Sequence, residues 1–221
     1  MRLRVMVWNV HGFRAGARAM GEAVRSQEPD LVIVNETGYL GFRLRRFARR
    51  LDMEGSTGAT LRWRIPNAVL ARRPWRVIRG QVAVLPRTGR TVRRGAVMAQ
   101  MGRSGIRLWV VAVHLGLSGQ ERAAHARVLT DILAGRDPAV IGGDLNEDET
   151  GSAARWISSR YWDVASEVPD AATFPAREPR ARIDYVFVSE GMRVERAWTG
   201  GEGFADLSDH RPVLADLSVG G

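Results

Sequence analysis

Six short apolar runs in this chain begin or end beside a residue that can ligate a cation or move a proton. Residues 5–8 run into Asn9, and residues 31–34 run into Asn35-Glu36. Residues 109–113 end on His114, and Val140-Ile141 lead through two glycines to Asp144 and Asn146. Asp184 lies near the head of residues 183–188, and Asp209-His210 precede residues 212–217. Short runs rich in Val, Ile, Leu and aromatic residues read as strands buried in a sheet. Polar residues at strand ends on one sheet edge can meet in space while lying far apart in sequence, which places a site on a rigid scaffold.

The segments between these runs set the architecture. Residues 15–27 have the spacing of an amphipathic helix, so residues 2–34 read strand, helix, strand. A second helix is expected over 41–51, with arginines on its outer face. The middle reads as a meander of strands over 68–71, 75–85, 91–101 and 106–114, separated by Gly and Arg-Gly turns. Ser118 followed by Glu121 predicts a capping box opening a helix over 118–133. A short strand over 139–142, a helix over 152–159 and a Pro-rich loop over 170–180 follow. Strands over 182–189, 193–198 and 212–217 close the chain. With no repeat and no long linker, one domain over 1–221 is expected. Its two ends contribute similar mixtures of strand and helix. The expected fold is therefore a four-layer α/β sandwich, two facing, mostly antiparallel mixed sheets flanked by helices.

Composition narrows the chemistry. The chain has no Cys, which excludes disulfides and thiolate metal sites and leaves oxygen and imidazole ligands. The formal net charge of +9 suits a polyanionic partner such as nucleic acid or an anionic lipid surface. Every basic residue is Arg, however, in a chain rich in Ala and Gly, and a genome-wide compositional bias explains this equally well. No leader pattern is visible, and the apolar run around 108–117 is too short to span a bilayer. A cytoplasmic monomer without a membrane segment is the expectation.

Glu36, Asp144 and Asp209 offer hard carboxylate oxygens, and Asn9 and Asn146 add amide groups, a set suited to Mg²⁺ or Mn²⁺. His114 and His210 add groups that exchange protons near neutral pH. Singly, each has a plain structural reading. Glu36 could be a surface carboxylate, His114 a satisfied structural histidine, and Asp144 a turn residue or N-cap. Asp184 could partner Arg182, and Asp209-His210 could be an ordinary loop pair. Together they supply what hydrolysis of a phosphate ester requires: charge neutralisation, a positioned water, a base, and help for the leaving oxygen. His125, on the third predicted helix, is expected to be exposed. Glu147, Asp148 and Glu149 are expected at the start of the next helix, where acids favour the dipole.

The ordered motifs resemble the endonuclease/exonuclease/phosphatase superfamily of metal-dependent phosphoesterases, which includes pancreatic-type deoxyribonucleases and apurinic endonucleases. The matching blocks are W-N-V-H-G at 8–12, P-D-L-V-I-V-N-E-T at 29–37, N-A-V-L-A-R at 67–72 and R-G-A-V at 94–97. V-A-V-H-L at 111–115, G-D-L-N at 143–146, T-F-P at 173–175, R-I-D-Y-V-F-V at 182–188 and S-D-H-R-P-V at 208–213 complete the series. The resemblance implies Glu36 as principal ligand of Mg²⁺ (or Mn²⁺), with Asn9 and Asp209 close to the same ion. It implies Asp144 and Asn146 at the phosphate and the attacking water, and His210 as general base or phosphate ligand oriented by Asp184. It implies His114 against the phosphate or the leaving group, with Asn146, His114 and Asn9 touching substrate. Departures are Asn35 where Gln is usual, His11 where some relatives carry an acid, and a short 37–113 segment without the acid and tyrosine that some relatives place there. The implied activity is hydrolysis of a phosphodiester, with DNA or RNA as first substrate class. The alternatives are a small phosphoester or lipid headgroup, and a catalytically silent binding module. The last is disfavoured because Asn9, Glu36, Asp144, Asn146, Asp184, Asp209 and His210 are all present.

Overall fold

The computed structural model describes residues 1–60, 62–89 and 91–220. They form two six-stranded mixed sheets and four α-helices. At the centre of the first sheet, β1 (Arg2–Asn9) runs parallel to β2 (Leu31–Asn35), joined by α1 (Ala17–Ser26). β4 (Ala68–Arg72) pairs antiparallel with β2, and β3 (Met53–Thr57) closes that edge after α2 (Phe42–Leu51). On the other side of β1 lie β12 (Val213–Val219) and β11 (Met192–Thr199), both antiparallel pairings. The second sheet repeats this plan. β7 (Ile106–His114) runs parallel to β8 (Ala139–Asp144) through the crossover helix α3 (Gly119–Leu133). β6 (Gly95–Arg103) and β5 (Arg76–Val84) flank β7, while β10 (Asp184–Val188) and β9 (Trp162–Asp163) flank β8. α4 (Ser152–Ser158) packs beside α3.

The central strands are apolar on both faces because both faces are covered. Along β1, Leu3, Val5 and Val7 enter the core between the sheets, while Met6 and Trp8 face the helices. α1 contributes Met20 and Val24 to that outer layer, and α2 contributes Leu44, Phe47 and Leu51 at helical spacing. On the second sheet, Val111, Val113 and Ile141 meet Ala126, Leu129 and Leu133 of α3. The layer order is therefore helix, sheet, sheet, helix, as the alternating pattern predicts. Each fully buried Val, Leu or Ile contributes about 1.5–3 kcal/mol before the entropy of ordering is counted.

Some local expectations are revised. β3 has the sequence M-E-G-S-T, too polar for a buried-strand signal; it is an edge strand. β8 continues through both glycines to Asp144, so Asp144 is the last residue of a strand and no N-cap. Ser118 does cap α3, accepting a hydrogen bond from Glu121 N, but the Glu121 carboxylate turns outward to Thr91 and Thr88. His125 is buried rather than exposed, bonded to Gly116 N and Pro86 O. Glu147 accepts from the backbone N–H groups of Ala153 and Ala154, serving the start of α4 as expected. No described helix is long and apolar enough to cross a membrane.

Candidate active site

Two parallel pairs end at the same edge of the sandwich. Asn9 lies opposite Asn35 at the ends of β1 and β2, and His114 lies opposite Asp144 at the ends of β7 and β8. Ligands in open α/β sheets bind beyond the carboxyl ends of such strands. Antiparallel neighbours enter from this edge, so they bring residues from their beginnings. Asp184 opens β10 directly opposite Asp144, and His210 lies just before β12.

The two sheets join at Asp144, which is buried. Its Oδ2 accepts from Asn9 Nδ2 at 3.0 Å and lies 3.3 Å from His114 Nε2 and 3.8 Å from His210 Nε2. Its Oδ1 accepts from Asn146 N at 2.9 Å. Burial pushes the Asp144 carboxyl above the usual range, opposed by the two nearby histidines and reinforced by Asp184. Asn35 spans the same gap: its Oδ1 accepts from Asp144 N, and its Nδ2 donates to Val113 O and to Asn67 Oδ1.

His210 and Asp184 form the expected pair, Nδ1 to Oδ2 at 2.8 Å. Thr173 Oγ1 donates to the same carboxylate oxygen at 2.7 Å, and Phe174 packs on the imidazole with ring centroids 4.9 Å apart. Burial pulls the His210 pKa down, but the charge and hydrogen bond of Asp184, with Asp144 and Asp209 beyond, raise it to about 9. Asp184 Oδ1 is buried without a hydrogen-bond partner among the described residues. Arg182 pairs with Asp163 instead of Asp184.

His114 is fully buried, and burial, only partly offset by Asp144, lowers its pKa to about 4. It is neutral at pH 7, with Nε2 3.3 Å from Asp144 Oδ2 and Nδ1 without a hydrogen-bond partner among the described residues. Among the described residues, no carboxylate supports it through Nδ1.

The remaining carboxylates lie nearer solvent. Glu36, with φ of 57°, lines a cavity of about 320 Å³ with His11, Tyr39, Val92 and Arg94. Asp209 Oδ1 lies 3.1 Å from His11 Nδ1, and His11 N donates to Asn9 Oδ1 at 3.1 Å. His11 thus adjoins all three sequence-predicted metal ligands: Asn9, Glu36 and Asp209. A second group, Asp144, Asp184 and His210, has ligand atoms within 4.8 Å of one another, close enough to hold an ion. Asn146, with φ of 54°, donates from Nδ2 to Leu115 O. Of the arginines on α2, Arg43 reaches this region, donating to Gly12 O at 2.7 Å; Arg45, Arg46 and Arg49 are exposed on the outer layer.

The sequence pattern assigned no role to Asn35, Thr173, Ser208 or Arg94. Ser208 Oγ donates to Asn9 O and lashes the 208–210 turn to the end of β1. Asn35 carried a legible signal, an amide ending an otherwise apolar buried run, since a buried polar group needs a partner.

The profile of the Endonuclease/Exonuclease/phosphatase family matches residues 6–210. No curated protein matches in sequence. Many solved structures share the fold. An endonuclease/exonuclease/phosphatase from Beutenbergia cavernae is 25% identical, with 100% of this chain and 72% of that one covered at a TM-score of 0.80. The mannosyl-6-phosphatase of Bacteroides thetaiotaomicron is 18% identical, covering 98% and 99% of the two chains at 0.80. D. rerio TDP2, crystallised with a single-strand DNA product, is 17% identical, covering 99% of both chains at 0.82.

Proposed function

The chain belongs to the endonuclease/exonuclease/phosphatase family of phosphoesterases, and from this premise we propose that it is a Mg²⁺-dependent phosphodiesterase acting on nucleic acid. One observation carries the reading: Asn9, His114 and His210, from both sheets, converge on one carboxylate oxygen of Asp144, with Asp184 backing His210.

The donor set fits a hard cation. Glu36, Asp209 and Asn9 Oδ1 are oxygen donors, and no described side chain hydrogen-bonds to the Glu36 carboxylate beside its cavity. We assign the ion to these three residues. To the Asp144–Asp184–His210 group we assign proton handling, since His210 is held by Asp184 and turns its Nε2 toward Asp144. Bound there, Mg²⁺ would neutralise phosphate charge and favour ionisation of water.

The chain's own residues do the rest. Asp184 fixes the proton of His210 on Nδ1, so Nε2 faces Asp144 and the site. With its pKa raised to about 9, His210 is charged at neutral pH and directs its second ring N–H to a phosphate oxygen, while the Asp144 carboxylate accepts the proton that the attacking water loses. His114 offers Nε2–H to a phosphate oxygen or the leaving group without adding charge. Asn146, held by Leu115 O, orients the phosphate.

Nucleic acid is favoured by the net charge of +9 and by exposed Tyr39 and Phe42 near Arg64 and Arg43 beside the cavity, since aromatic and Arg side chains together accept stacked bases and phosphates. TDP2 with its DNA product accords with this. A small phosphomonoester is the second reading, favoured by the modest cavity and by the mannosyl-6-phosphatase. A substrate panel with Mg²⁺ separates them: plasmid, abasic and single-stranded DNA, RNA, sugar and inositol phosphates, sphingomyelin and a chromogenic diester. His210→Ala is expected to lower turnover by about 10²- to 10⁴-fold with folding retained, and EDTA to abolish it. Turnover that survives chelation would remove the metal from the mechanism.

A further inference from the structure

We propose that Arg94 is a phosphate-binding residue of this site, its guanidinium gripping the non-bridging oxygens of the scissile phosphate. The proposal deepens the phosphoesterase reading and rests on it. Arg94 immediately precedes β6, whose first residue, Gly95, pairs with His114. It therefore stands at the same strand-end edge as Asp144 and lines the Glu36 cavity. The side chain is half-buried, and burial lowers its pKa against the opposing charges of Asp144 and Glu36. Yet no described carboxylate lies within ion-pair distance of it, and it makes no side-chain hydrogen bond among the described residues. A cation withdrawn from water beside two carboxylates, bonded to neither, keeps its N–H donors for a third partner. The planar guanidinium matches two phosphate oxygens at once.

Two further observations support the assignment. His114 is neutral, so it brings no positive charge to the phosphate. Arg93, next in sequence, is turned away, donating to Trp63 O. The loop before Arg94 is also held in place from α3. Glu121 Oε1 accepts from Thr91 Oγ1 at 2.6 Å and from Thr88 N at 3.1 Å. His125 Nδ1 accepts from Gly116 N, which leaves its Nε2–H to donate to Pro86 O at 2.6 Å. Pro86, Thr88 and Thr91, which precede Arg94 in sequence, are thereby tied to α3.

The test compares wild type with Arg94→Ala, Arg94→Gln and Arg94→Lys. Binding of inorganic phosphate is measured by calorimetry, kcat and KM on a chromogenic diester with Mg²⁺, and folding by circular dichroism. Phosphate affinity is expected to fall about 10- to 100-fold in Arg94→Ala and Arg94→Gln and to recover partly in Arg94→Lys. The value of kcat/KM should fall about 100-fold, and Tm should hold or rise because an unpaired buried charge is gone. Should Arg94→Ala fail to fold, the Gln and Lys variants carry the comparison. Wild-type phosphate affinity and kcat/KM in the folded variants would overturn the proposal. A wild type that hydrolyses nothing would defeat the phosphoesterase reading, while phosphate affinity would still decide Arg94.

Discussion

His114 carries two opposed demands. Its ring is enclosed, Nδ1 has no described partner, and Asp144 alone opposes the cost of charging it. The native pKa of about 4 lies below the unfolded value of about 6.5. Between those values the unfolded chain binds more protons, so stability rises with pH there. The contribution is complete above about pH 6.5 and disappears as pH falls toward 4. It amounts to roughly 1.4 kcal/mol per pH unit and about 3 kcal/mol in all. Urea unfolding at about pH 7 and about pH 5 should show wild type losing about 2 kcal/mol more than His114→Asn. Equal losses would mean that His114 does not titrate as its burial requires. The raised His210 acts in the opposite sense and remains in both proteins, so the difference isolates His114. The sequence pointed to His114 through its place at the end of an apolar run, and to the Asp184–His210 pair through the family resemblance. The missing acid in the 37–113 segment already left His114 without a supporting carboxylate; that the ring is also fully enclosed was decided only by the fold.

At the scale of elements, the site depends on how closely β7 and β8 approach. Gly143 has φ of 149°, and a Cβ there would lie 1.7 Å from Val113 O. No rotamer relieves a clash with backbone, so the two strands would have to part, carrying His114 away from Asp144. Gly143→Ala is expected to cost about 3 kcal/mol or more in thermal unfolding and to abolish turnover. An active, stable variant would show that the pairing tolerates separation. In sequence, G-G-D reads as a turn because glycine is usually found there; here it is a strand accommodating a neighbour's carbonyl. Ser118 was legible for the opposite reason, because an N-cap bonds within its own helix turn. Ser118→Ala should cost about 1 kcal/mol in the same assay. The polar edge strand β3 escaped notice because an edge needs no apolar face to pair.

At the scale of the whole molecule, each sheet supplies half of the site: Asn9, Glu36, Asp209 and His210 lie at the first sheet's edge, and His114, Asp144 and Asp184 at the second's. The core between the sheets therefore sets the catalytic distances. Ile33 lies fully buried in that core and approaches Gly142. Ile33→Ala should destabilise by about 2–5 kcal/mol and also lower turnover of the protein that remains folded, measured by urea unfolding and steady-state kinetics. Unaltered kinetics would mean that the site does not feel the spacing of the sheets. If nucleic acid is bound through its backbone, the affinity of Glu36→Gln for a DNA oligonucleotide should fall linearly in log–log with salt. A flat response would turn the reading toward a small phosphoester. The sequence by itself determined the layers, the first strand–helix–strand unit and the polar strand ends, because periodicity and short-range motifs act within a few residues. Only the tertiary structure decided that Asn9 bonds Asp144 across the sheets, that Asn35 bridges them and that Arg94 stands beside Glu36. These relations depend on the distance and register between two separately formed sheets, which are set by packing of the whole core.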